Sequence, residues 1–137
     1  MKTPITCFWI CLISLIAFSQ EKPVKIVFDV TSDNTKVHQA TVRHVKAMSQ
    51  AYPDSQFEVV MYGGAIDMVL KDKSVVAEDI AKLIQKDNID FVICGGTMKR
   101  HNTKDSDLIK GIKQVPDGIM EIVNRQKDGW GYIKESQ

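Results

Sequence analysis

Residues 90–101 read Asp-Phe-Val-Ile-Cys-Gly-Gly-Thr-Met-Lys-Arg-His. The first five of them predict a strand, in which Asp90 is followed by an apolar run that ends at Cys94. Gly95 and Gly96 follow directly, so the segment from residue 94 to residue 101 is expected to be a loop at the carboxyl end of a strand. In an α/β sheet, ligands and reactive groups gather at that edge. This segment is therefore the first candidate for a functional site.

Short apolar runs alternate along the rest of the chain with segments whose apolar residues recur every three or four positions. The runs predict further strands at residues 25–30, 57–62, 112–115 and 130–134. The helical periodicity predicts helices at residues 35–51, 74–86, 105–109 and 117–127. Such alternation favours right-handed crossovers and a mostly parallel sheet. We predict an α/β fold of the open, flavodoxin-like kind, with helices on both faces of the sheet.

The last of these helices is expected to bury one apolar face against the sheet. Its inward residues are predicted to be Ile119, Met120, Ile122 and Val123.

Length and charge exclude several classes of protein. The chain has 137 residues with no shift in composition, which predicts a single domain. It carries 18 basic and 17 acidic residues, and this balance gives no electrostatic reason to bind nucleic acid or an anionic membrane surface.

No cofactor or metal site is predicted. His38, His44 and His101 have no metal-ligand spacing, and surface solvation is their expected role. Residues 31–35 are rich in hydroxyl groups and are similar to the phosphate loop that binds FMN in flavodoxins. They lack its glycine, however, and capping of the first helix explains the same residues more simply.

Residues 1–19 are predicted to be a secretory signal peptide. Lys2 is their only charge, and residues 5–18 form a 14-residue run without ionisable groups apart from two cysteines. Ala17 and Ser19 have the small-x-small spacing that signal peptidase accepts. The run is shorter than the roughly 20 residues of a membrane-spanning helix. The alternative is a buried N-terminal helix.

Cleavage after Ser19 removes 19 of 137 residues and leaves a single domain of 118, residues 20–137. The mature protein is then periplasmic or secreted and has no membrane contact. Cys7 and Cys11 leave with the signal, so Cys94 becomes the only thiol. A lone exported thiol cannot form an internal disulfide, which indicates either reactivity or pairing with another molecule.

The neighbours of Cys94 favour reactivity. Gly95 and Gly96 allow backbone N–H groups to approach the sulfur closely. Lys99 and Arg100 add positive charge, and both effects stabilise a thiolate over a thiol. The alternative is an inert buried cysteine, followed by a simple turn and two solvated basic residues.

The spacing of Cys94 and Arg100 permits a second interpretation. The arginine follows six positions after the cysteine, as in cysteine-dependent phosphatases, where backbone amides and the arginine cradle a phosphate. His101 stands where those enzymes have a hydroxyl residue.

Two segments carry a resemblance to a known family. The strand that ends in Cys94 and continues as Gly-Gly-Thr-Met-Lys-Arg resembles the DsrE/DsrF-like family of sulfur-handling proteins. The C-terminal segment resembles the small single-domain branch of that family in Val115-Pro116-Asp117-Gly118-Ile119, Glu121-Ile122-Val123, Gln126, Gly129-Trp130 and Tyr132-Ile133-Lys134. The resemblance covers residues 24–134.

The resemblance implies an α/β fold with a central sheet and assembly into homo-oligomers or hetero-oligomers. It also implies that sulfur is carried as a persulfide on the cysteine at this strand end, which is Cys94. The sulfur would pass between donor and acceptor proteins or small sulfur compounds. The residues expected to support the persulfide anion are Gly95, Gly96, Thr97, Lys99 and Arg100.

The leading hypothesis is therefore an exported sulfur carrier or sulfurtransferase-like protein that uses Cys94. The first alternative is a non-catalytic, oligomeric binding module of the same fold. The second is phosphatase-like chemistry at Cys94 and Arg100.

Overall fold

The computed structural model of the protein describes residues 22–136. The predicted signal peptide, with Cys7 and Cys11, lies outside the described residues. The strands are β1 (Lys25–Val30), β2 (Gln56–Met61), β3 (Ile89–Cys94), β4 (Lys113–Val115) and β5 (Gly131–Glu135). The helices are α1 (Thr35–Ala51), α2 (Ala77–Leu83), α3 (Gly95–Arg100) and α4 (Gly118–Lys127), with 3₁₀ turns at Gly63–Met68 and Asp105–Asp107.

The five strands form one sheet in the order β4-β3-β2-β1-β5, and every neighbouring pair is parallel. The predicted open α/β fold is therefore confirmed, and each predicted strand agrees with the structure to within one residue at either end. Two helices are shorter than predicted. The chain before α2 turns at Ser74, whose hydroxyl accepts the N–H of Val76 at 3.3 Å, and the predicted helix at 105–109 is only a 3₁₀ turn.

The order of the strands determines which face each helix covers. From β1 to β4 the chain steps across the sheet in one direction, so right-handed crossovers place α1, α2 and α3 on the same face. The connection from β4 to β5 runs back across the whole sheet. A right-handed return places α4 on the opposite face, as observed.

The two faces bury very different amounts of apolar side chain. The first face packs against α1, α2 and α3 in a large core that includes Phe28, Val45, Phe57, Met61, Ile80, Phe91, Ile93 and Met98. On the second face, the buried cluster consists of Val27, Val60 and Val92 from three adjacent strands and Ile122 from α4. The second face therefore depends on one helix for its cover.

The orientation of α4 differs from the prediction. Its buried residues are Gly118 and Ile122, and half-buried Arg125 continues the same helix face at the next turn. Ile119 and Met120, which were predicted to face inward, are 57% and 47% exposed. The prediction is confirmed for Ile122 and was wrong for Ile119 and Met120, because it assumed a wholly apolar contact surface, whereas the helix also turns a glycine and an arginine towards the sheet.

Arg125 joins α4 to the sheet through a buried carboxylate. Its Nη2 lies 2.5 Å from Oε2 of Glu58 on β2, and its Nε lies 2.9 Å from Oε1 of Glu121 one turn earlier. The guanidinium also lies 4.7 Å from the centre of the Trp130 ring. Glu58 is only 1% exposed, and its second oxygen has no hydrogen-bond partner among residues 22–136. Burial raises the pKa of Glu58 to about 7, although Arg125 opposes that shift.

This raised pKa makes stability dependent on pH. Between the ordinary glutamate pKa of 4.5 and about 7, the folded protein holds a proton at Glu58 that the unfolded chain has lost. Stability contributed by this proton is complete below that window and is lost as pH rises through it. Urea denaturation should therefore show that the free energy of unfolding of wild type falls relative to that of Glu58→Gln between pH 4.5 and 7. Above pH 7 the difference between the two proteins should stay constant.

Glu78→Gln is the matched control, because Glu78 is exposed in the first turn of α2. Its stability should follow that of wild type without a trend in this window. A gain in wild-type stability relative to Glu58→Gln as pH rises would show that the folded protein prefers the ionised pair.

Candidate functional site

Cys94 lies where two neighbouring strands are followed by helices on opposite faces of the sheet. It is the last residue of β3, and the chain continues from it into α3 on the first face. The neighbouring strand, β4, continues into α4 on the second face. Diverging connections of this kind open a crevice at the carboxyl edge of a parallel sheet, where ligands of α/β proteins bind. The sequence correctly predicted that Cys94 lies at the carboxyl edge of the sheet. The strand order shows, in addition, that a crevice opens at this edge.

The sulfur of Cys94 takes the place of a helix-capping oxygen. Cys94 is the N-cap residue of α3, and its side chain makes no capping hydrogen bond of ordinary geometry. The N–H groups of Gly96 and Thr97, at the second and third helical positions, nevertheless act on Sγ and lower the pKa of the thiol. Capping oxygens of serine or aspartate bind these same amides in ordinary helices. The amides at a helix start also carry the positive end of the helix dipole, which favours an anion.

A third amide reaches the sulfur from α4. The side chain of Asp117 accepts the N–H groups of Ile119 and Met120 at 2.8 and 3.1 Å, and the N–H of Gly118 donates towards Sγ of Cys94. A Cβ on Gly118 would lie only 3.2 Å from Cβ of Cys94 and 3.3 Å from Cδ1 of Tyr62. Glycine therefore allows the start of α4 to approach the sulfur closely.

These donors outweigh the effect of burial on the thiol. Burial acts to raise the pKa of Cys94, but hydrogen bonds from Gly118, Thr97 and Gly96 bring that pKa below its ordinary value. The residue is only 8% exposed, so little of it is in contact with solvent. The site thus combines a stabilised thiolate with limited access.

The hydroxyl of Thr97 is oriented towards the sulfur by two other donors. Its Oγ1 accepts the N–H of Gly63 at 3.0 Å and Nη2 of Arg100 at 3.1 Å. A hydroxyl has two acceptor positions and one proton. Because both acceptor positions are occupied, the proton of Thr97 remains available for Sγ of Cys94, towards which it donates. Thr97 is fully buried, and this arrangement is shielded from water.

The predicted loop at residues 94–101 is a helix instead. The glycine pair indicated a turn, but helical geometry begins at Gly95, directly after the extended backbone of Cys94. A rise of 1.5 Å per residue places Arg100 about 9 Å from Cys94 along the helix. Its guanidinium contacts Thr97, and the segment does not form the phosphate cradle of the phosphatases.

The six predicted site residues, which include Cys94 itself, differ in whether and how they contact its sulfur. Gly96 and Thr97 contact Sγ of Cys94 directly, and Gly95 forms the first turn of the helix that presents them. Arg100 reaches the sulfur through Thr97. Lys99 and Arg100 are exposed in the last turn of α3.

Sequence analysis missed Gly118, Tyr62 and a buried aspartate, Asp29. Asp29 is 4% exposed, and its Oδ2 accepts the Tyr132 hydroxyl at 2.6 Å while Oδ1 accepts Nζ of Lys134 at 3.1 Å. The hydrogen bond to Asp29 raises the pKa of Tyr132 to about 12. One signal was available, because Asp29 is the single acidic residue in the otherwise apolar interior of β1.

Tyr62 connects this aspartate cluster to the thiol. It follows β2, the strand between β1 and β3, and its ring lies against the start of α4 beside Cys94. Burial raises the pKa of Tyr62, and the charge and hydrogen bond of Asp29 raise it further, with a smaller effect from Cys94. Asp29, Tyr62 and Cys94 thus form a row along the carboxyl edge of the second face.

The loop at residues 31–35 caps α1, as expected. Oδ1 of Asn34 accepts the N–H of Lys36 at 2.9 Å. The prediction for His38 was wrong, because the side chain is buried and its Nε2 donates to the carbonyl of Ser32 at 2.7 Å. His44 is exposed and contacts Glu135 through Nδ1 at 2.9 Å. His101 is exposed as well.

Within residues 22–136, no group of three or more His, Cys, Asp or Glu side chains is arranged to hold a metal ion. None of the helices in this range combines the length and apolarity that a membrane crossing requires.

Comparison with known proteins gives a family and a fold. The sequence model of the DsrE/DsrF-like family matches residues 11–134. The chain is similar in structure to MTH1491 from Methanobacterium thermoautotrophicum, a protein of unknown function, with 25% identity and a TM-score of 0.76 over 81% of this chain and 98% of that one. A search of curated proteins found no match.

Two further structures share the fold. BT1422 from Bacteroides thetaiotaomicron, a conserved protein of unknown function, has 16% identity and a TM-score of 0.67 over 80% of this chain and 93% of its own. The ychN protein from E. coli has 9% identity and a TM-score of 0.63 over 82% and 97%. At these identities the likeness concerns the fold alone.

The Thr97 hydroxyl should control the ionisation of Cys94. Thr97→Val removes the donor while keeping the shape of the side chain, and we expect the pKa of the thiol to rise by about one pH unit. The pH dependence of the iodoacetamide reaction rate at Cys94 measures this pKa.

Thr97→Ser is the matched control, because it retains the hydroxyl and should keep a pKa close to that of wild type. Arg100→Met should raise the pKa less than Thr97→Val, since it frees the hydroxyl to rotate without removing it. An unchanged pKa in Thr97→Val would contradict the role of this hydrogen bond.

Proposed function

Because this chain belongs to the DsrE/DsrF-like family, we propose that it carries sulfane sulfur as a persulfide on Cys94. Membership of the family suggests a role in sulfur relay. The observation that carries the finer proposal is the position of Sγ between the first turns of α3 and α4, where three backbone amides and one hydroxyl stabilise negative charge. A persulfide is also an anion near neutral pH, and the same donors serve it after transfer.

The reaction needs only one thiolate. Sγ of Cys94 attacks the outer sulfur of a donor persulfide, R–S–S⁻, and forms a new S–S bond. The original S–S bond of the donor breaks, and the leaving thiolate, R–S⁻, takes its electron pair. Charge and atoms balance without an oxidant or a metal. The reverse attack, by the thiolate of an acceptor, passes the sulfur on.

A carrier of this kind benefits from the lack of a second thiol nearby. Cys94 is the one free cysteine among the described residues. A neighbouring cysteine would attack the persulfide and release hydrogen sulfide with formation of a disulfide. Because the sulfur is isolated and partly shielded, a persulfide formed on it is protected until a donor or acceptor slender enough to reach it approaches.

We propose further that the protein acts after export, as the signal-like residues 1–19 predict. The partners would then be sulfur donors and acceptors, either proteins or small sulfur compounds, of the periplasm or the exterior. Assembly into a homo-oligomer or hetero-oligomer is part of the same proposal.

One observation favours the alternative of a non-catalytic binding module. Cys94 is largely buried, while Ile119 and Met120, directly after Gly118, expose apolar surface. In a binding module these two residues contact a partner, and the thiol serves only to pack and cap the helix starts.

Exposure to polysulfide should add sulfur to Cys94. We expect the intact mass of the purified protein to rise by one or more sulfur atoms, and the gain to be reversed by a small thiol. Cys94→Ser keeps a small polar cap at the strand end and should show no gain. Mass spectrometry of both proteins, with circular dichroism to confirm that the variant is folded, provides the measurement.

Sulfur addition that persists in Cys94→Ser, or that never occurs in wild type, would contradict the persulfide proposal. The binding-module alternative expects slow alkylation of native Cys94 and an altered molar mass of Cys94→Ala in light scattering. A fast reaction of the thiol with an unchanged molar mass speaks against that alternative.

Export should be visible at the N-terminus of the protein purified from its native cells. If residues 1–19 are removed, N-terminal sequencing should begin at Gln20, and the intact mass should correspond to residues 20–137. A protein that retains Lys2 would contradict cleavage of a signal peptide.

A further inference from the structure

A groove runs beside Cys94 along the edge of the sheet. It lies between the first turns of α3 and the segment that follows β4, and its volume is about 450 Å³. The residues that line it are Gly95, Gly96, Lys99, Gln114 and Pro116. The groove lies at the carboxyl edge of the sheet, the edge where α/β proteins bind ligands.

The groove adjoins the sulfur through Gly96. A Cβ on Gly96 would lie 3.6 Å from Sγ of Cys94, so the glycine leaves little more than its backbone between the groove and the thiol. Gly95 makes a second close approach possible. A Cβ there would lie 2.7 Å from Nε2 of Gln114, and the missing side chain allows this amide to sit against the start of α3.

Charge in the groove is entirely positive. Lys99 is the one charged residue among the five that line it. Within residues 22–136, the ammonium of Lys99 forms no ion pair or hydrogen bond, so it is available to a ligand in the groove. The side chain of Gln114 has no hydrogen-bond partner in that range either. A cation and an amide without partners thus share a groove next to a nucleophilic sulfur.

We propose that this groove binds the oxyanion, a carboxylate or sulfonate, of a small sulfur compound that reacts with Cys94. Lys99 supplies the charge and Gln114 the amide N–H. The proposal rests on the persulfide function and names its class of donor and acceptor. A volume of about 450 Å³ is at the lower end of the range for small-molecule sites, roughly 300–1,000 Å³. The groove therefore suits a compact molecule.

Binding of the anion would orient the reacting atoms. In the transfer step, Cys94 thiolate bonds to the outer sulfur of the donor persulfide, the donor's own S–S bond breaks, and its thiolate departs. Lys99 and Gln114 hold the anionic end of the same donor at one side of the sulfur. This contact also offsets the repulsion between a negatively charged donor and the thiolate that attacks it.

The test compares two alkylating agents of nearly equal size that differ in charge. Iodoacetate carries a carboxylate and iodoacetamide is neutral, and both alkylate the Cys94 thiolate. In wild type the ratio of the iodoacetate rate to the iodoacetamide rate should exceed that of a free cysteine and should fall with added salt. Lys99→Met should lower this ratio roughly threefold to tenfold, since the ratio is independent of the reactivity that the thiolate shows towards both agents.

Lys110→Met is the matched control, because Lys110 is an exposed lysine outside the groove. Its ratio should equal that of wild type. Gln114→Leu should lower the ratio less than Lys99→Met, since it removes a dipole rather than a charge. An unchanged ratio in Lys99→Met would overturn the groove as an anion site, even if polysulfide still adds sulfur to Cys94.

The two proposals can fail separately. A lowered ratio in Lys99→Met together with no uptake of sulfur would support the anion site and overturn the persulfide function alone. Acetate and methanesulfonate then identify the preferred anion, since the one that binds should slow the iodoacetamide reaction in wild type but not in Lys99→Met. Protection by neither salt would count against the groove.

Discussion

The sulfur of Cys94 receives backbone amides from two helices that lie on opposite faces of the sheet. Thr97 and Gly96 approach it from α3, and Gly118 approaches it from α4. This convergence is possible only because the chain leaves β3 and its neighbour β4 towards opposite faces. Burial alone would raise the pKa of the thiol, and the amides bring that pKa below its ordinary value. The thiolate, the crevice and the proposed anion groove all depend on this arrangement.

The second face of the sheet has little apolar packing of its own, and α4 is held there partly by charge. Ile122 contributes the buried apolar contact, while Arg125 lies between the carboxylates of Glu58 and Glu121. The same helix begins at Gly118 and supplies an amide to the thiol. The position of that amide is therefore coupled to a buried ion pair on β2.

The sequence was informative wherever a local pattern reflects the backbone. Apolar runs and helical periodicity identified all five strands and the long helix α1, because one buried face produces a regular spacing. Cys94 was correctly placed at a strand end, beside glycines that allow amides to approach. The glycine pair was misread as a loop, and Ile119 and Met120 as an inner face, because both outcomes depend on what the rest of the chain places opposite them. His38 was misjudged for the same reason.

By itself, then, the sequence determined the fold class, the resemblance to the DsrE/DsrF-like family and the cysteine on which chemistry would centre. These follow from spacing and residue type, which local sterics and burial control. Only the tertiary structure decided that Gly118 and the hydroxyl of Thr97 would stabilise the thiolate, that Arg100 would act through that hydroxyl, and that Lys99 would line a groove. The contacts of Gly118 with Cys94 and of Gly63 with Thr97 join segments far apart in the chain. They arise from the order of the strands and the handedness of their connections, which no local pattern encodes.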